Sequence, residues 1–104
     1  MKYFFEGGNL KIDLNEELDM NSCKELRTII DGYIMRYQPD EVTLDLSEVK
    51  FMDSSGIGLL IGRYNLVKLM DSKLTILNPS STVKRVIELS SVGKNISMRC
   101  EWYE

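Results

Sequence analysis

The apolar residues of this 104-residue chain change their spacing several times along the sequence. In some segments they alternate with polar residues, as in a half-buried strand, and in others they recur every three or four positions, as in a helix. The resulting order is ββαβαβαβ. Strands separated by helices pair in parallel through right-handed crossovers. We therefore predict one α/β domain over residues 1–104, with three main helices and a mixed sheet that has a parallel centre and an N-terminal hairpin.

Turn and capping residues set the predicted boundaries. Gly7-Gly8-Asn9 separates the first two strands as a hairpin loop does. Ser22 and Glu25 have the spacing of a capping box, which predicts that a helix begins at Ser22. The predicted strands are Tyr3–Glu6, Leu10–Leu14, Glu41 through Phe51 to Asp53, Lys73–Leu77 and Ile96–Trp102. The predicted helices are Ser22–Tyr37, which Pro39 ends, Ser54–Met70, and a third that begins at Ser80-Ser81 and that Gly93 ends.

The same spacings divide side chains between core and surface. We predict that the third helix buries Val83, Val86, Ile87 and Leu89, and that Cys23 and Cys100 are small buried apolar residues. The methionines expected to fill gaps in the core are Met20, Met35, Met52, Met70 and Met98. The aromatic residues expected to be buried or half-buried are Tyr33, Tyr37, Tyr64 and Trp102. The basic residues expected on solvated faces are Arg63, Lys68, Lys84 and Arg85.

The composition argues against several classes of function. Thirteen Lys and Arg against sixteen Asp and Glu give a formal charge of −3, and the absence of a basic block predicts no direct nucleic-acid binding. The chain has no histidine, the commonest general base and zinc ligand. No apolar stretch approaches the roughly twenty residues of a bilayer helix, so we expect a cytoplasmic protein without membrane insertion. An enzyme is an open alternative, since Asp19 and Asp53 could share a metal or act as acid and base.

The segment Asp53-Ser54-Ser55-Gly56-Ile57-Gly58 places an acid and two hydroxyls at a predicted strand-to-helix junction. The first turn of a helix has unpaired N–H groups and the positive end of the helix dipole, so a phosphate on Ser54 would be tolerated there. A simpler reading is that Asp53 or Ser54 only caps the helix. Gly58 and Gly62, four residues apart, suit close packing on the sheet, whereas Gly56 is expected nearer the exposed mouth.

This junction is also where the chain resembles a known family. Residues 51–64, Phe-Met-Asp-Ser-Ser-Gly-Ile-Gly-Leu-Leu-Ile-Gly-Arg-Tyr, are similar to the signature of the STAS domain of bacterial anti-sigma factor antagonists. The likeness extends to residues 42–49 and, more loosely, to Glu17-Leu18-Asp19 and to Pro79 with residues 83–85. Gly62-Arg63-Tyr64 is most similar to the sporulation branch of the family. One departure is Glu16, where the family commonly has glycine, and this could alter a tight turn beside the interface.

The resemblance implies a protein without catalysis or a cofactor of its own. It implies binding to an anti-sigma factor that is also a serine kinase, which releases a sigma factor until the kinase, using ATP and magnesium, phosphorylates Ser54. A serine phosphatase would reverse the modification. The resemblance places the partner contacts at Asp19, Asp53, Ser54, Ser55, Gly56 and Ile57. The alternative within the family is a non-catalytic subunit of a membrane transporter or a scaffold in a stress-signalling assembly.

Overall fold

A computed structural model describes residues 1–90 and 96–101 of the chain. The strands are β1 (Lys2–Glu6), β2 (Asn9–Asp13), β3 (Glu41–Asp45), β4 (Lys73–Leu77) and β5 (Ser97–Arg99). The helices are α1 (Met20–Tyr37), α2 (Ser54–Leu69) and α3 (Ser81–Leu89). The strands form one sheet in the order β1-β2-β3-β4-β5, in which β1 and β2 are antiparallel and the other neighbours are parallel. The predicted mixed α/β sheet with an N-terminal hairpin is confirmed.

Local signals explain most of the element boundaries. Gly7 and Gly8 have φ of 59° and 81°, the left-handed region that a two-residue hairpin loop requires. The α1 helix ends at Gln38, which is left-handed and donates its N–H to the carbonyl of Ile34 at 2.9 Å, and Pro39 follows. Ser80 caps α3 by accepting a hydrogen bond from the N–H of Val83 at 3.2 Å.

The core lies on one face of the sheet. The parallel register aligns Leu10, Val42 and Leu74 in one row and Ile12, Leu44 and Ile76 in the next. These residues form a single buried cluster with apolar side chains from all three helices, so the helices pack on this face. The opposite face is polar: Lys11 lies 3.6 Å from Asp13 and 3.7 Å from Asp45.

Several boundary predictions are wrong. The strand predicted to run from Glu41 to Asp53 ends at Asp45, because the chain turns there: the N–H of Ser47 donates to the Asp45 carboxylate at 2.9 Å, and that of Val49 to the carbonyl of Leu46 at 3.0 Å. The first helix begins at Met20 rather than at Ser22, and its cap is Asp19. Ser22, predicted as the cap, is the third helical residue, and the predicted capping box of Ser22 and Glu25 is replaced by one of Asp19 and Ser22.

The burial predictions are confirmed for some side chains and wrong for others. Leu89 is exposed because it lies about 200° around the helix from the buried Ile87. Cys23 is buried as predicted, but Cys100 is exposed because it follows the end of β5. Met20 and Met35 are exposed on α1, whereas Met52 is buried, and Met70 and Met98 are half-buried. Tyr33, Tyr37 and Tyr64 are half-buried, as predicted.

The third helix ends at Leu89, before its predicted end at Gly93, and the last strand ends at Arg99, before its predicted end at Trp102. Gly93 and Trp102 themselves lie outside the described residues. None of the helices in residues 1–90 and 96–101 has the length and apolar character needed to cross a membrane.

Candidate functional site

The N-termini of α1 and α2 lie side by side. The N–H of Leu18 donates to the carbonyl of Phe51 at 2.9 Å, and the N–H of Asp53 donates to the carbonyl of Leu18 at 3.2 Å. These bonds form an isolated parallel bridge between Leu18 and Met52. The residue after each bridge position, Asp19 or Asp53, is the cap of its helix. One backbone pairing therefore brings together the two segments that the sequence singled out.

The start of α2 leaves Ser54 exposed. Asp53, in extended conformation, accepts a hydrogen bond from the N–H of Ser55 on its carboxylate at 2.7 Å. Its carbonyl accepts from the N–H groups of Gly56 at 3.0 Å and Ile57 at 3.3 Å. Ser54 is the first residue of the helix, and its hydroxyl makes no hydrogen bond to the described residues. Because Asp53 performs the capping, the Ser54 hydroxyl has no part in the helix cap.

The start of α1 uses its serine differently. The Asp19 carboxylate accepts from the N–H of Ser22 at 2.9 Å, and the Ser22 hydroxyl accepts from the N–H of Asp19 at 3.2 Å. The same hydroxyl donates to the carbonyl of Glu17. This is a reciprocal capping box with Ser22 in the third helical position. The hydrogen bond from Ser22 lowers the pKa of Asp19 below its ordinary value, because it stabilises the ionised form.

Gly56 allows the two segments to pack closely. A Cβ atom at this position would lie 2.5 Å from Cγ of Met52, 3.0 Å from Cβ of Leu18 and 3.2 Å from the carbonyl oxygen of Leu18. Gly58 and Gly62 have nothing within 4 Å of a corresponding Cβ. The sequence expectation is thus reversed: Gly56 is buried at the close approach, and Gly58 is exposed.

A groove of about 450 Å³ runs between α1 and α2 next to this site. Its lining residues are Met20, Cys23, Lys24, Arg27, Ser55, Gly58 and Leu59. Met20 is 73% exposed at the rim, and the basic side chains both come from α1. Cys23 is buried, which raises the pKa of its thiol and disfavours the reactive thiolate.

The predicted contact residues thus differ in accessibility. Ser54 is exposed, Ser55 and Ile57 are half-buried, and Gly56 is buried. Asp19 and Asp53 are half-buried, and their carboxylates accept backbone hydrogen bonds at the two caps. Within residues 1–90 and 96–101, no three Asp, Glu, Cys or His side chains are grouped so that they could hold a metal ion.

Arg63, predicted on a solvated face, is 4% exposed and joins α2 to α1. Its Nε lies 2.7 Å from one carboxylate oxygen of Asp31, and its Nη2 donates to the other at 3.2 Å. Nη1 donates to the carbonyl of Leu59 at 3.3 Å. Burial lowers the pKa of Arg63, while the charge of Asp31 opposes that shift. The helical period indicated this position, since Arg63 lies four residues from both Leu59 and Val67 on the buried side of α2.

Glu16 does not need the backbone freedom of a glycine. Its φ is not among the positive values in the chain. One oxygen of its carboxylate accepts from the N–H of Asn15 at 3.0 Å, and the other lies 3.5 Å from the N-terminal ammonium. Replacement of a glycine by glutamate at this position is therefore compatible with the turn before Asp19.

Comparisons with known proteins identify the family of this chain. Residues 5–101 match the STAS domain family. An anti-sigma F factor antagonist of Paenibacillus polymyxa is 32% identical over 87 residues, which are 84% of this chain and 74% of that protein. One from Lysinibacillus sphaericus is 33% identical over 82 residues, 79% of this chain and 70% of that protein.

Solved structures show the same fold. The anti-sigma factor antagonist SpoIIAA in its unphosphorylated form has a TM-score of 0.83 and 27% identity, covering 97% of this chain and 87% of that one. The Bacillus cell fate determinant SpoIIAA in its phosphorylated form has a TM-score of 0.76 and 26% identity, covering 97% and 90%. These similar proteins share their fold with this chain whether or not they carry a phosphate.

Proposed function

Because this chain belongs to the STAS domain family, we propose that it is an anti-sigma factor antagonist that phosphorylation of Ser54 switches off. It binds an anti-sigma factor that is also a serine kinase, and thereby releases a sigma factor. The observation that carries the proposal is the Ser54 hydroxyl, exposed in the first turn of α2 and not used by the helix cap. The similarity to SpoIIAA, a protein solved with and without phosphate, supports the same conclusion.

The surface that binds the partner surrounds this serine. Asp19 and Asp53 flank it at the caps, and Ser55 and Ile57 continue it along α2. Gly56 contributes by letting Leu18 and Met52 pack against the helix backbone, which fixes Asp19 beside α2. The chain is the substrate in the phosphorylation, and the kinase supplies ATP and magnesium. A serine phosphatase removes the phosphate and restores binding.

Charge accounts for the switch. A phosphate adds about −1.5 to −2 charges beside Asp53. At about 6 Å and an effective dielectric constant near 20, one pair of like charges repels by about 3 kcal/mol. Repulsion from Asp53 acts in the free protein too, so the affinity changes through the partner: an acidic partner group at that distance from the phosphate would be repelled by this amount, which weakens binding about a hundredfold.

The same modification leaves the fold intact. The first turn of α2 presents N–H groups and the positive end of the helix dipole to a phosphate on Ser54, which offsets part of the repulsion from Asp53. Ser54 makes no hydrogen bond to the described residues that phosphorylation would break. Phosphorylation therefore weakens the complex rather than the free protein.

The test is phosphorylation by the cognate kinase, identified by capture from the native cell. Incubation with that kinase, ATP and magnesium should add one phosphate, which mass spectrometry of peptides should locate on Ser54. Ser54→Ala should abolish incorporation, while the matched controls Ser55→Ala and Ser22→Ala should retain it. Modification confined to Ser55, or capture of transporter subunits or a stress-signalling assembly in place of a kinase, would contradict the proposal.

A further inference from the structure

The first strand, β1, lies at one edge of the sheet and pairs only with β2 among the described residues. All five of its residues are exposed, and Tyr3, Phe4 and Phe5 are 37%, 51% and 39% exposed. Proteins usually protect an edge strand with charged side chains, a proline, a bulge or a very short length, and the charges of β1, Lys2 and Glu6, lie only at its two ends. The sequence Lys-Tyr-Phe-Phe-Glu pairs residue by residue with β2 and has no proline. Its outer edge is therefore open to a further strand.

The aromatic rings along this edge are already ordered by α1. The ring of Tyr3 stacks on that of Tyr33 with centroids 4.0 Å apart, and the ring of Phe5 stacks on that of Tyr37 at 5.0 Å. Ile29, also on α1, is 38% exposed. A partner that covers these rings would bury apolar surface. The entropy cost of fixing the rings would be small, because they are already stacked on α1.

The hairpin determines which backbone groups face outward. Gly7 and Gly8 form a two-residue loop with positive φ, so the Glu6–Asn9 pair that closes the hairpin is hydrogen-bonded. Hydrogen-bonded and non-hydrogen-bonded pairs alternate along an antiparallel ladder. The N–H and C=O groups of Phe5 and Tyr3 therefore point away from β2, where an added strand could pair with them.

We propose that β1 pairs with β1 of a second copy of this chain, antiparallel about a twofold axis at Phe4, so that two sheets become one. This register places Tyr3 opposite Phe5 of the partner copy, and the outward backbone groups of these two residues form hydrogen-bonded pairs. It also places Lys2 of each copy opposite Glu6 of the other copy, which gives two oppositely charged pairs, one on each side of the axis. The strand is thus complementary to itself in backbone, aromatic packing and charge.

The charges select this register and this partner. Axes at Tyr3 or Phe5 would also match the outward backbone groups, but they would not place Lys2 opposite Glu6. The dimer goes beyond the proposed function and does not depend on it. None of the residues that build the surface around Ser54, 18–19 and 51–59, belongs to β1. Each dimer would therefore present two Ser54 surfaces.

A charge-swap series tests the dimer. Sedimentation of the wild-type chain over a roughly hundredfold range of concentration should show a reversible monomer–dimer equilibrium. K2E and E6K should each weaken it about thirtyfold, because each variant places like charges opposite one another at both ends of the strand pair. The double variant K2E/E6K should restore the dimer. An equimolar mixture of K2E and E6K, with one of them labelled, should form a heterodimer at concentrations where each alone is monomeric.

Thermal unfolding at a concentration where the wild type is monomeric serves as the control, and both single variants should remain folded with a midpoint within about a few degrees of the wild type, because the exchanged side chains are exposed. A wild-type chain that stays monomeric over the whole range would overturn the proposal. A dimer that neither single variant weakens would also overturn it, because such a dimer would have to use another surface. A mixture of K2E and E6K that forms no heterodimer would overturn it as well.

Discussion

The N-termini of α1 and α2 are built from similar residues but use them differently. Each begins with an extended aspartate cap, Asp19 or Asp53, and each has a serine in the first turn. In α1 the serine is the third helical residue, and its hydroxyl closes a capping box with Asp19. In α2 the first of two first-turn serines, Ser54, is the first helical residue, and it is exposed and takes no part in the cap. Position within the first turn therefore decides whether a serine supports the helix cap or is left exposed to solvent.

The third helical position completes the contrast. Ser22 occupies it in α1, whereas Gly56 occupies it in α2 and packs beneath Leu18 and Met52. The α1 terminus is thus held by side-chain hydrogen bonds. The α2 terminus is held by close backbone packing and by the Asp53 carboxylate, without a serine hydroxyl in the cap.

The largest expected effect concerns charge at the exposed serine. Ser54→Asp should weaken binding of the anti-sigma partner about a hundredfold, as the repulsion between the added negative charge and an acidic group of the partner about 6 Å away predicts. Ser54→Ala should bind as tightly as the wild type. Titration of each variant with the partner, by calorimetry, measures both affinities; equal affinities for the two would show that charge at this position is not the switch.

The close packing at Gly56 predicts the second-largest effect, a loss of stability. Gly56→Ala should lower the free energy of unfolding by about 2 kcal/mol, because the new methyl group must displace Met52 and the backbone of Leu18. Gly62→Ala is the matched control in the same helix. Its methyl group would meet open space, so stability should stay unchanged or rise by up to about 1 kcal/mol. Urea unfolding measures both, and equal costs at the two positions would refute the close approach at Gly56.

The two serines should differ in what they contribute to stability. Ser22→Ala should cost about 1 kcal/mol, because it removes the hydroxyl that accepts from Asp19 and donates to Glu17. Ser54→Ala should stay within about 0.5 kcal/mol of the wild type, as is usual for a surface substitution. Chemical denaturation of the two variants side by side provides the comparison, and a larger loss at Ser54 would reverse the assignment of roles.

The smallest effect is the pH dependence that Asp19 contributes. Its pKa is lowered in the folded state, so the folded protein holds fewer protons there than the unfolded chain. The stabilisation is fully present above the ordinary aspartate pKa of about 4 and is lost as pH falls through the lowered folded value. Asp19→Asn should therefore be less stable than the wild type near neutral pH, and the two unfolding curves should converge in acid. A difference that is independent of pH would exclude this contribution.

Much of the molecule was predictable because its signals are local. The paired glycines after Glu6 require a tight hairpin, and the change of apolar spacing at Asp53 marks where a strand-like segment gives way to a helix. The exposure of Ser54 follows from its place in the first turn, where a side chain lies at the end of the helix. The sequence also carried the family resemblance at this junction, which the match over residues 5–101 confirms.

Other features depend on residues distant in the chain. The bridge between Leu18 and Met52 decides that Gly56, rather than Gly58, needs to be a glycine. The carboxylate of Asp31 decides that Arg63 can be buried.

The sequence by itself determined the order of the elements, the hairpin and the position of an exposed serine at the start of α2, because spacing and turn chemistry act over a few residues. Only the tertiary structure decided which glycine is packed and which arginine is buried. These outcomes depend on contacts between segments whose mutual distance is fixed only once the sheet and helices have assembled.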